Sequence, residues 1–334
     1  MRRIVITSSS GYIGRELALQ LERSFEDIMV IRVDRRARHD PNGLSFRIDL
    51  AETRPADLGA IFRGAETIFH LAAARTDWGL SYRQYWRDNV LATRNVMRCA
   101  RIAQTKRMVY FSTVGVYGPS TEPLGETARL APVGAYGETK AEAESEVLAA
   151  AEDAGLFVRV IRPSAVFSEH QPENTNVYRL IEAVRRRRFV MIGRGSEIKT
   201  TSYLHNVVDA ALWLYQDLDS GGLRVFNYVD EPKLSTRKMV NIVRQELGCV
   251  SPLIRLPLPL IEPPARALDM LGDLLEIDIP ITAARIRKFC TPTDYDSSRI
   301  RLAGFQPQFT SLSALRRTVS AHKPNSTKAS TARS

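Results

Sequence analysis

The chain has 334 residues, of which 44% are hydrophobic and 25% are charged, and its formal net charge is +10. This composition is typical of a globular protein and excludes disordered, collagen-like and coiled-coil classes. The length suits one large α/β domain or a core with a smaller lobe. No aromatic-interleaved basic motif accompanies the positive charge, so we expect no nucleic-acid partner and an anionic small-molecule substrate instead.

The N-terminus opens directly into a strand-like run at residues 3–7, without the apolar segment and small-residue cleavage site of a signal peptide. The most apolar stretch, residues 253–281, is interrupted by charged residues and prolines, so we expect no membrane span. We therefore expect a cytoplasmic protein. Cys99, Cys249 and Cys290 lie far apart and lack the spacing of a zinc site, so no metal is expected.

Short strand-like runs alternate with longer helical patterns over the first part of the chain. The predicted strands cover residues 4–7, 29–33, 67–71, 108–112 and 157–161. Repeated β-α-β units of this kind predict an α/β fold, a doubly wound parallel sheet of the Rossmann type with helices on both faces. Ligands of such sheets bind at the carboxyl ends of the strands.

From about Pro163 the pattern becomes mixed. It predicts helices near residues 177–187 and from 207 and 236, strands at 190–192 and 225–228, and further helices near 266–275 and 282–289. We assign residues 1–162 to a dinucleotide-binding core and 163–321 mainly to a smaller substrate-binding lobe, with some elements returning to the core. Residues 322–334 have almost no apolar content and are predicted to form a disordered tail.

A turn containing Gly11 and Gly14 follows the first predicted strand and opens a helix. Glycines there let the backbone approach a pyrophosphate that lies at the helix N-terminus. The second strand ends in Asp34, twenty residues beyond Gly14 (34 minus 14), where a carboxylate can accept hydrogen bonds from the adenosine ribose hydroxyls. This favours NAD, but Arg35 and Arg36 follow directly and suit a 2′-phosphate, so NADP stays an alternative.

Tyr136 and Lys140 are four residues apart in a predicted helix and therefore share a face. A free phenol has a pKa of about 10, and a neighbouring cation lowers this pKa by favouring the phenolate. Tyr136 is thus a candidate general base or acid. Thr113, at the end of a predicted strand, is placed to hydrogen-bond a substrate oxygen beside it.

Together these motifs resemble the extended short-chain dehydrogenase/reductase family, the NAD-dependent epimerase/dehydratase group, up to about Val319. The glycine turn is similar to the TGxxGxxG motif of that family, with Ser8 in the place of the first glycine. The resemblance implies a catalytic set of Thr113, Tyr136, Lys140 and Asn89. It also implies a set of cofactor contacts: Ser8, Ser10, Gly11, Tyr12, Ile13, Gly14, Asp34, Arg35, Asp49, Leu50, Leu71, Ala72, Ala73, Tyr136, Lys140 and Pro163.

The resemblance further implies hydride transfer to or from the cofactor, while Tyr136 moves the hydroxyl proton. Dehydratases of this group carry Asp-Glu after the catalytic threonine, where this chain has Val114 and Gly115, and the 3,5-epimerase/reductases use a cysteine that is absent near Thr113. A 4-epimerase or 4-ketoreductase of a nucleotide-diphosphate sugar remains. The substrate-binding candidates are Asn176, Lys199, Thr201, Arg285 and Arg287.

Two alternatives stay open. One is a 3β-hydroxysteroid-type or other hydrophobic alcohol dehydrogenase, because Trp78, Gly79 and the proline-rich region before Ile281 suit an apolar substrate. The other is a non-catalytic dinucleotide sensor, although a sensor has no need of the Tyr136 and Lys140 pair. The family commonly dimerises through a four-helix bundle, which implies a homodimer formed by the helix of Asn89 and the helix that starts at Tyr136.

Overall fold

The computed structural model describes residues 1–38, 43–75, 79–120, 122–261, 263–264 and 291–323. Seven parallel strands form one sheet in the order β11-β6-β5-β4-β1-β2-β3. Their bounds are β1 Arg2–Thr7, β2 Ile28–Asp34, β3 Ser45–Arg47, β4 Ala65–His70, β5 Arg107–Phe111, β6 Phe157–Pro163 and β11 Leu223–Tyr228. The predicted doubly wound parallel sheet is confirmed.

Helices cover both faces of this sheet, so consecutive side chains of a central strand are buried on both sides: Ile4, Val5 and Ile6 of β1 are all fully buried. The helices are α1 Tyr12–Ser24, α2 Pro55–Phe62, α3 Tyr82–Trp86, α4 Ala92–Ile102, α5 Gly134–Ala154, α6 Asn176–Arg185, α7 Leu204–Asp217, α8 Thr236–Glu246, α9 Ser298–Leu302 and α10 Ser311–Ala321. Helices α1 and α7 pack on one face of the sheet, and α2, α4 and α5 pack on the other.

The remaining strands form three two-stranded pairs outside the main sheet. They are β7 Ala165–Phe167 with β10 Thr201–Tyr203, β9 Ile198–Lys199 with β12 Leu234–Ser235, and β8 Met191–Ile192 with β13 Arg255–Leu256. A separate apolar core lies among α6, α8 and α10. Strand β11 pairs with β6 in the main sheet, so this second half of the chain also supplies an element to the core.

The helices predicted near residues 266–275 and 282–289, Trp78 and the tail from residue 324 lie outside the described residues. Within the described ranges, no helix is long and apolar enough to cross a membrane. The division at residue 162 stays a prediction.

Candidate active site

A cleft of about 820 Å³ opens at the carboxyl ends of the central strands. The side chains that line it come from the turn after β1, the ends of β2, β4, β5 and β6, and the start of α5. Almost all of the predicted cofactor and catalytic residues meet there: Ser8, Ser10, Gly11, Tyr12, Ile13, Gly14, Asp34, Arg35, Asp49, Leu50, Leu71, Ala72, Ala73, Thr113, Tyr136, Lys140 and Pro163. One cleft therefore unites the dinucleotide motif with the Thr-Tyr-Lys set.

The turn after β1 is built around Ser8, whose φ of +55° lies in the left-handed region that glycine adopts most easily. The Ser8 carbonyl oxygen accepts a hydrogen bond of 2.9 Å from the amide of Gly11. A Cβ added at Gly14 would lie 2.2 Å from the same oxygen, so only glycine fits there. The backbone of the turn thus explains why a glycine is usual at position 8 and required at position 14.

Asp34, at the end of β2, is fixed beside this turn. Its carboxylate accepts hydrogen bonds from the amide of Ser10 at 3.1 Å and the amide of Arg36 at 2.7 Å. This arrangement holds the carboxylate at the cleft wall, where it suits a pair of ribose hydroxyls. The residues therefore fit a dinucleotide whose ribose carries free hydroxyls.

Arg35 points across the cleft to the other wall, where it forms a two-point ion pair with Asp88, at 3.2 and 2.9 Å. Next to it, Arg87 donates a 2.8 Å bond to Asp49. The charge that NADP would need from Arg35 is thus already matched by a carboxylate. This geometry favours NAD over NADP.

Lys140 is buried on α5, one helical turn after Tyr136, and both side chains line the cleft. Its ammonium donates hydrogen bonds to the Tyr110 phenol oxygen at 2.9 Å and to the Phe111 carbonyl oxygen at 2.7 Å. Burial lowers the pKa of Lys140 to about 7, although the Glu144 carboxylate opposes this shift. Lys140 is therefore a cation that can lose its proton near neutral pH.

Thr113 and Tyr136 are neighbours at the cleft wall. A Cβ added at Gly115 would lie 3.4 Å from Oγ1 of Thr113 and 4.0 Å from a ring carbon of Tyr136, so these two side chains flank Gly115. The Thr113 hydroxyl accepts a 3.1 Å bond from the Gly115 amide, which leaves its own proton available for a ligand oxygen. A substrate hydroxyl or carbonyl can thus contact both groups.

Asn89 does not line the cleft, but its side chain joins two parts of the wall. It accepts a 2.7 Å bond from the amide of Ala74 and donates a 2.9 Å bond to the hydroxyl of Thr139 on α5. Asn89 is buried in a π-helical turn, Arg87–Leu91, a local form that often occurs at functional sites. Asn89 thus links the loop at Ala74 to α5, and its catalytic role stays a prediction.

His70, at the end of β4, lies in a buried polar chain below the cleft. The Thr7 hydroxyl accepts bonds from the amides of Leu71 and Ala72, at 3.0 and 3.1 Å, so its proton is donated to Nδ1 of His70, 2.8 Å away. Nε2 of His70 then donates to the Thr93 hydroxyl at 3.0 Å. Burial lowers the pKa of His70 to about 3, so the ring is neutral and orients the Thr7 hydroxyl that binds the amides of residues 71 and 72.

The substrate-binding candidates are less concentrated. Asn176 is exposed at the first position of α6, while its neighbour Asn174 lines the cleft. Lys199 donates a 2.5 Å bond to the Thr291 carbonyl oxygen, and Thr201 is buried in β10; neither is among the described residues of the cleft wall. Arg285 and Arg287 lie outside the described residues.

Further polar side chains that sequence reasoning did not single out also line the cleft, among them Arg75, Gln84 and Asp88. Arg75 is exposed and lies two residues beyond the predicted segment of residues 71–73. That position, at the carboxyl end of a central strand, is the signal that could have indicated it. Arg75 gives the open part of the cleft a positive charge.

Comparison with known proteins agrees with this site. Residues 4–228 match the model of the NAD dependent epimerase/dehydratase family. The chain belongs to this family, which confirms the resemblance to extended short-chain dehydrogenases/reductases. It is an NAD-dependent enzyme, and NAD is its cofactor.

Several individual proteins are similar over nearly the whole chain. The N-acetyl-alpha-D-glucosaminyl-diphospho-ditrans,octacis-undecaprenol 4-epimerase of Escherichia coli O157:H7 is 28% identical over 95% of this chain and 94% of that protein. The 2-alkyl-3-oxoalkanoate reductase of Stenotrophomonas maltophilia (strain K279a) is 29% identical over 94% of this chain and 98% of that protein. The solved structure of MoeE5 with UDP-glucuronic acid and NAD has a TM-score of 0.73 and 25% identity, and the match covers 96% and 98% of the two chains.

Proposed function

We propose that the chain is an NAD-dependent 4-epimerase or 4-ketoreductase that acts on a sugar carried by a diphosphate. The observation that carries this proposal is the meeting of Thr113, Tyr136 and Lys140 with the glycine turn in one cleft. The cleft contains both a dinucleotide motif and the acid/base group that hydride transfer at a carbinol carbon requires. When bound, NAD accepts a hydride from that carbon and can return it.

The residues of the turn from Ser8 to Gly14 would hold the pyrophosphate, and Asp34 the adenosine ribose. Asp49 and Leu50 would contact the adenine, with Arg35 at the same end of the cleft. Leu71, Ala72, Ala73 and Pro163 would line the rest of the cofactor, and Lys140 would hold the second ribose. These assignments are supported by the position of every one of these residues on the cleft wall.

Tyr136 would take the proton from the sugar hydroxyl as the carbinol becomes a carbonyl, and would give it back in the reverse direction. Thr113 would donate its hydrogen bond to the same oxygen and so fix its orientation. The Lys140 ammonium would stabilise negative charge on the Tyr136 oxygen, because the two side chains share one face of α5. Asn89 would keep α5 in register with the loop at Ala74.

Val114 and Gly115 follow Thr113, so no carboxylate stands at the positions that dehydratases of this group use for elimination. This supports epimerisation or reduction over dehydration. In an epimerase the sugar turns over before the hydride returns, whereas a reductase releases its product after one transfer. Arg75 and Asn174 would contact the diphosphate, and Asn176, Lys199, Thr201, Arg285 and Arg287 stay candidates for the sugar and its carrier.

The carrier has two candidate chemistries. MoeE5 was solved with UDP-glucuronic acid, which has a nucleoside diphosphate, and the Escherichia coli relative is named for an undecaprenyl-linked diphosphate. Both present a sugar on a diphosphate, so the exposed cation of Arg75 suits either one. The two carriers differ only beyond the diphosphate.

A second candidate function is the reduction of a hydrophobic ketone. It is favoured by the similarity to the 2-alkyl-3-oxoalkanoate reductase, which covers 98% of that protein. The same Thr113, Tyr136 and Lys140 set would serve it without change. We prefer a sugar diphosphate as the substrate because Arg75 adds a positive charge to the cleft wall, and an uncharged substrate does not need this charge.

The test is a titration of the purified full chain with NAD, NADP, a panel of UDP-, GDP- and dTDP-sugars, and a polyprenyl-diphosphate sugar, followed by nicotinamide absorbance and product analysis. Interconversion of 4-epimers without net absorbance change would identify an epimerase, and stoichiometric change a reductase. Tyr136→Phe is the matched control and should bind the same ligands without turnover. Binding of NAD without binding of any sugar diphosphate would overturn the proposal in favour of the hydrophobic ketone.

We also propose a homodimer formed by the neighbouring parallel helices α4 and α5. These helices lie side by side and are joined by Arg94, which pairs with Glu142 at 3.3 Å and Glu146 at 2.6 Å. Packing of the same two helices from a second copy would complete a four-helix bundle. Light scattering at micromolar concentration tests this, and a monomer mass would contradict it.

We further propose that the protein works in the cytoplasm. The support is its cofactor, because NAD is made and kept inside cells. Fractionation of cells that express the full chain tests this proposal, and recovery of the protein outside the cell would contradict it.

A further inference from the structure

Four large apolar side chains are exposed between residues 250 and 260, far from the active-site cleft. They are Val250, Ile254, Leu256 and Leu260, which are 95%, 59%, 40% and 69% exposed. Single exposed apolar side chains are ordinary, but a contiguous group of them marks an interaction site. We call this group the 250–260 surface.

The strand geometry puts the middle of this surface on one face. Strand β13 pairs in parallel with β8, and the residue before it, Ile254, accepts a 2.9 Å bond from the amide of Met191. Because side chains alternate along a strand, Ile254 and Leu256 point to the same side, whereas Leu253 packs toward the core between α6, α8 and α10. The outward-facing side of this segment is therefore apolar.

Exposed arginines border the same surface. Arg187 and Arg188 are exposed, follow α6 and lead into β8, so the parallel pairing of β8 with β13 puts them beside the start of the surface. Within the described chain neither of these two arginines pairs with a carboxylate, and residues 247–261 contain no acidic side chain.

The arginines of this run differ in their pairing. The preceding arginines of the same run, Arg185 and Arg186, both pair with Glu182, the former at 2.7 Å. The chain thus neutralises the charges that face α6 and leaves positive those that face the surface. An apolar face rimmed by free guanidinium groups matches a phase with acyl chains inside and phosphates at its edge.

We propose that the 250–260 surface docks the protein on a lipid bilayer that contains anionic headgroups. Val250, Ile254, Leu256 and Leu260 would enter the boundary between headgroups and acyl chains, while Arg187 and Arg188 contact lipid phosphates. A second copy of the chain is a poorer occupant. A two-fold contact would bring the same unpaired arginines of both copies together, and like charges opposed across an interface are unfavourable.

The docking surface and the active site are separate. Asn174, before α6, lines the cleft, whereas Arg187 follows the far end of this helix. Ten residues of α-helix span about 15 Å, so substitutions at the surface leave the cleft untouched. The proposal therefore does not depend on the proposed function, and the two are tested by different readouts.

The experiment is flotation of the full chain with vesicles of pure phosphatidylcholine and with vesicles of phosphatidylcholine mixed with phosphatidylglycerol, at low and high salt. We expect binding to the mixed vesicles only, and less of it at high salt. Arg187→Gln with Arg188→Gln should weaken the vesicle partition coefficient by about 25-fold, since each basic side chain contributes about fivefold. Ile254→Glu with Leu256→Glu should abolish binding.

Matched controls carry the same changes elsewhere. Leu302→Glu changes a side chain that is 86% exposed elsewhere on the protein. Arg23→Gln with Arg63→Gln removes two exposed arginines that lie outside the 250–260 surface. Both controls should bind vesicles as the unmodified chain does. All variants should keep their thermal unfolding temperature and their NAD affinity.

Failure of the unmodified chain to float with anionic vesicles would overturn the proposal. So would vesicle binding that the Ile254 and Leu256 substitutions leave unchanged. If these substitutions instead convert an oligomer into a monomer by light scattering without any vesicle binding, the surface is an interface between copies and the lipid proposal is wrong.

Discussion

The buried ammonium of Lys140 donates to the phenol oxygen of Tyr110, 2.9 Å away, and lies 4.4 Å from the centre of the same ring. Tyr110 comes from β5 and Lys140 from α5, so this contact ties the catalytic helix to the central sheet. A hydrogen bond to the charged form of a lysine favours that form, whereas burial disfavours it. Tyr110 is therefore one of the groups that keep Lys140 charged near neutral pH.

Replacement of Tyr110 by Phe should favour the uncharged form of Lys140. Loss of the acceptor should lower the pKa of Lys140 from about 7 by about one further unit, because a hydrogen bond to a charged group contributes about 1.5 kcal/mol or more. Since Lys140 is protonated below its pKa, the ammonium would then be lost at lower pH. We expect the basic limb of the pH profile of kcat/KM to move toward acid by about that amount.

Tyr228→Phe is the matched control for this measurement. It also removes a buried phenol hydroxyl, one that donates to Asp230 at 2.9 Å, but this hydroxyl is not part of the cleft. Both variants should lose some stability toward denaturant, whereas only Tyr110→Phe should change the pH profile. An unchanged pH profile in Tyr110→Phe would show that the Phe111 carbonyl oxygen alone keeps Lys140 charged.

Tyr136→Phe should lower kcat by about 10²–10⁴-fold, the usual contribution of a positioned acid/base group. NAD affinity should change little, because the Tyr136 hydroxyl is proposed to act on the substrate oxygen. Single-turnover nicotinamide absorbance and a separate NAD titration measure the two effects. Tyr82→Phe, at a half-exposed position on α3, should leave both values unchanged. A Tyr136→Phe enzyme with wild-type kcat would remove Tyr136 from the mechanism.

Ser8→Gly should stabilise the protein by about 1 kcal/mol, because a non-glycine residue in the left-handed region is strained by about that amount. The φ of +55° at Ser8 is the source of this strain. Gly14→Ala should do the opposite and abolish NAD binding, since its Cβ would lie 2.2 Å from the Ser8 carbonyl oxygen. Urea unfolding measures the changes in stability, and NAD titration measures the loss of cofactor binding.

Ser10→Gly is the control for the Ser8 substitution. Ser10 lies in the same turn without a positive φ, so glycine there adds freedom to the unfolded chain and relieves nothing. It should be neutral or mildly destabilising. Equal stabilisation by both substitutions would argue against strain at Ser8.

Much of this architecture could be predicted because it is recorded in local patterns. Five of the seven sheet strands contain the strand-like apolar runs from which they were predicted, and the glycine turn, Asp34 and the Tyr136 and Lys140 pair follow such runs in the sequence. Strand β3 was not predicted, since three residues are too few to show a periodicity. The sheet position of β11 also depends on pairing with β6, more than sixty residues earlier, which no local pattern records.

The features of the site that the sequence did not show are contacts between distant segments. Nothing near Lys140 in the sequence indicates that Tyr110, thirty residues earlier, is its partner. Asn89 was expected in a helix, but the π-helical turn that aims it at Ala74 and Thr139 depends on how α3 and α4 pack. Likewise the sequence left Arg35 free for a 2′-phosphate, and only the fold shows it paired with Asp88, 53 residues later.

The Arg35 and Asp88 pair makes cofactor choice testable. Asp34→Ser removes the carboxylate proposed to bind the ribose hydroxyls and should weaken NAD by about 10- to 100-fold, the usual range for a hydrogen bond to a charged group. Asp88→Asn removes the closer of the two ion pairs of Arg35 without loss of shape and leaves Asp49 at 3.7 Å, so NADP should bind about tenfold more tightly through its 2′-phosphate.

The double variant of Asp34 and Asp88 should therefore prefer NADP, as measured by titration with both dinucleotides at fixed ionic strength. Asp57→Asn is the matched control for the second change. It removes an exposed carboxylate that pairs with Arg54 at 2.9 Å outside the cleft, and it should alter neither affinity. If Asp88→Asn leaves NADP affinity unchanged while Asp34→Ser raises it, discrimination rests on repulsion between the Asp34 carboxylate and the phosphate, and the pairing of Arg35 is structural.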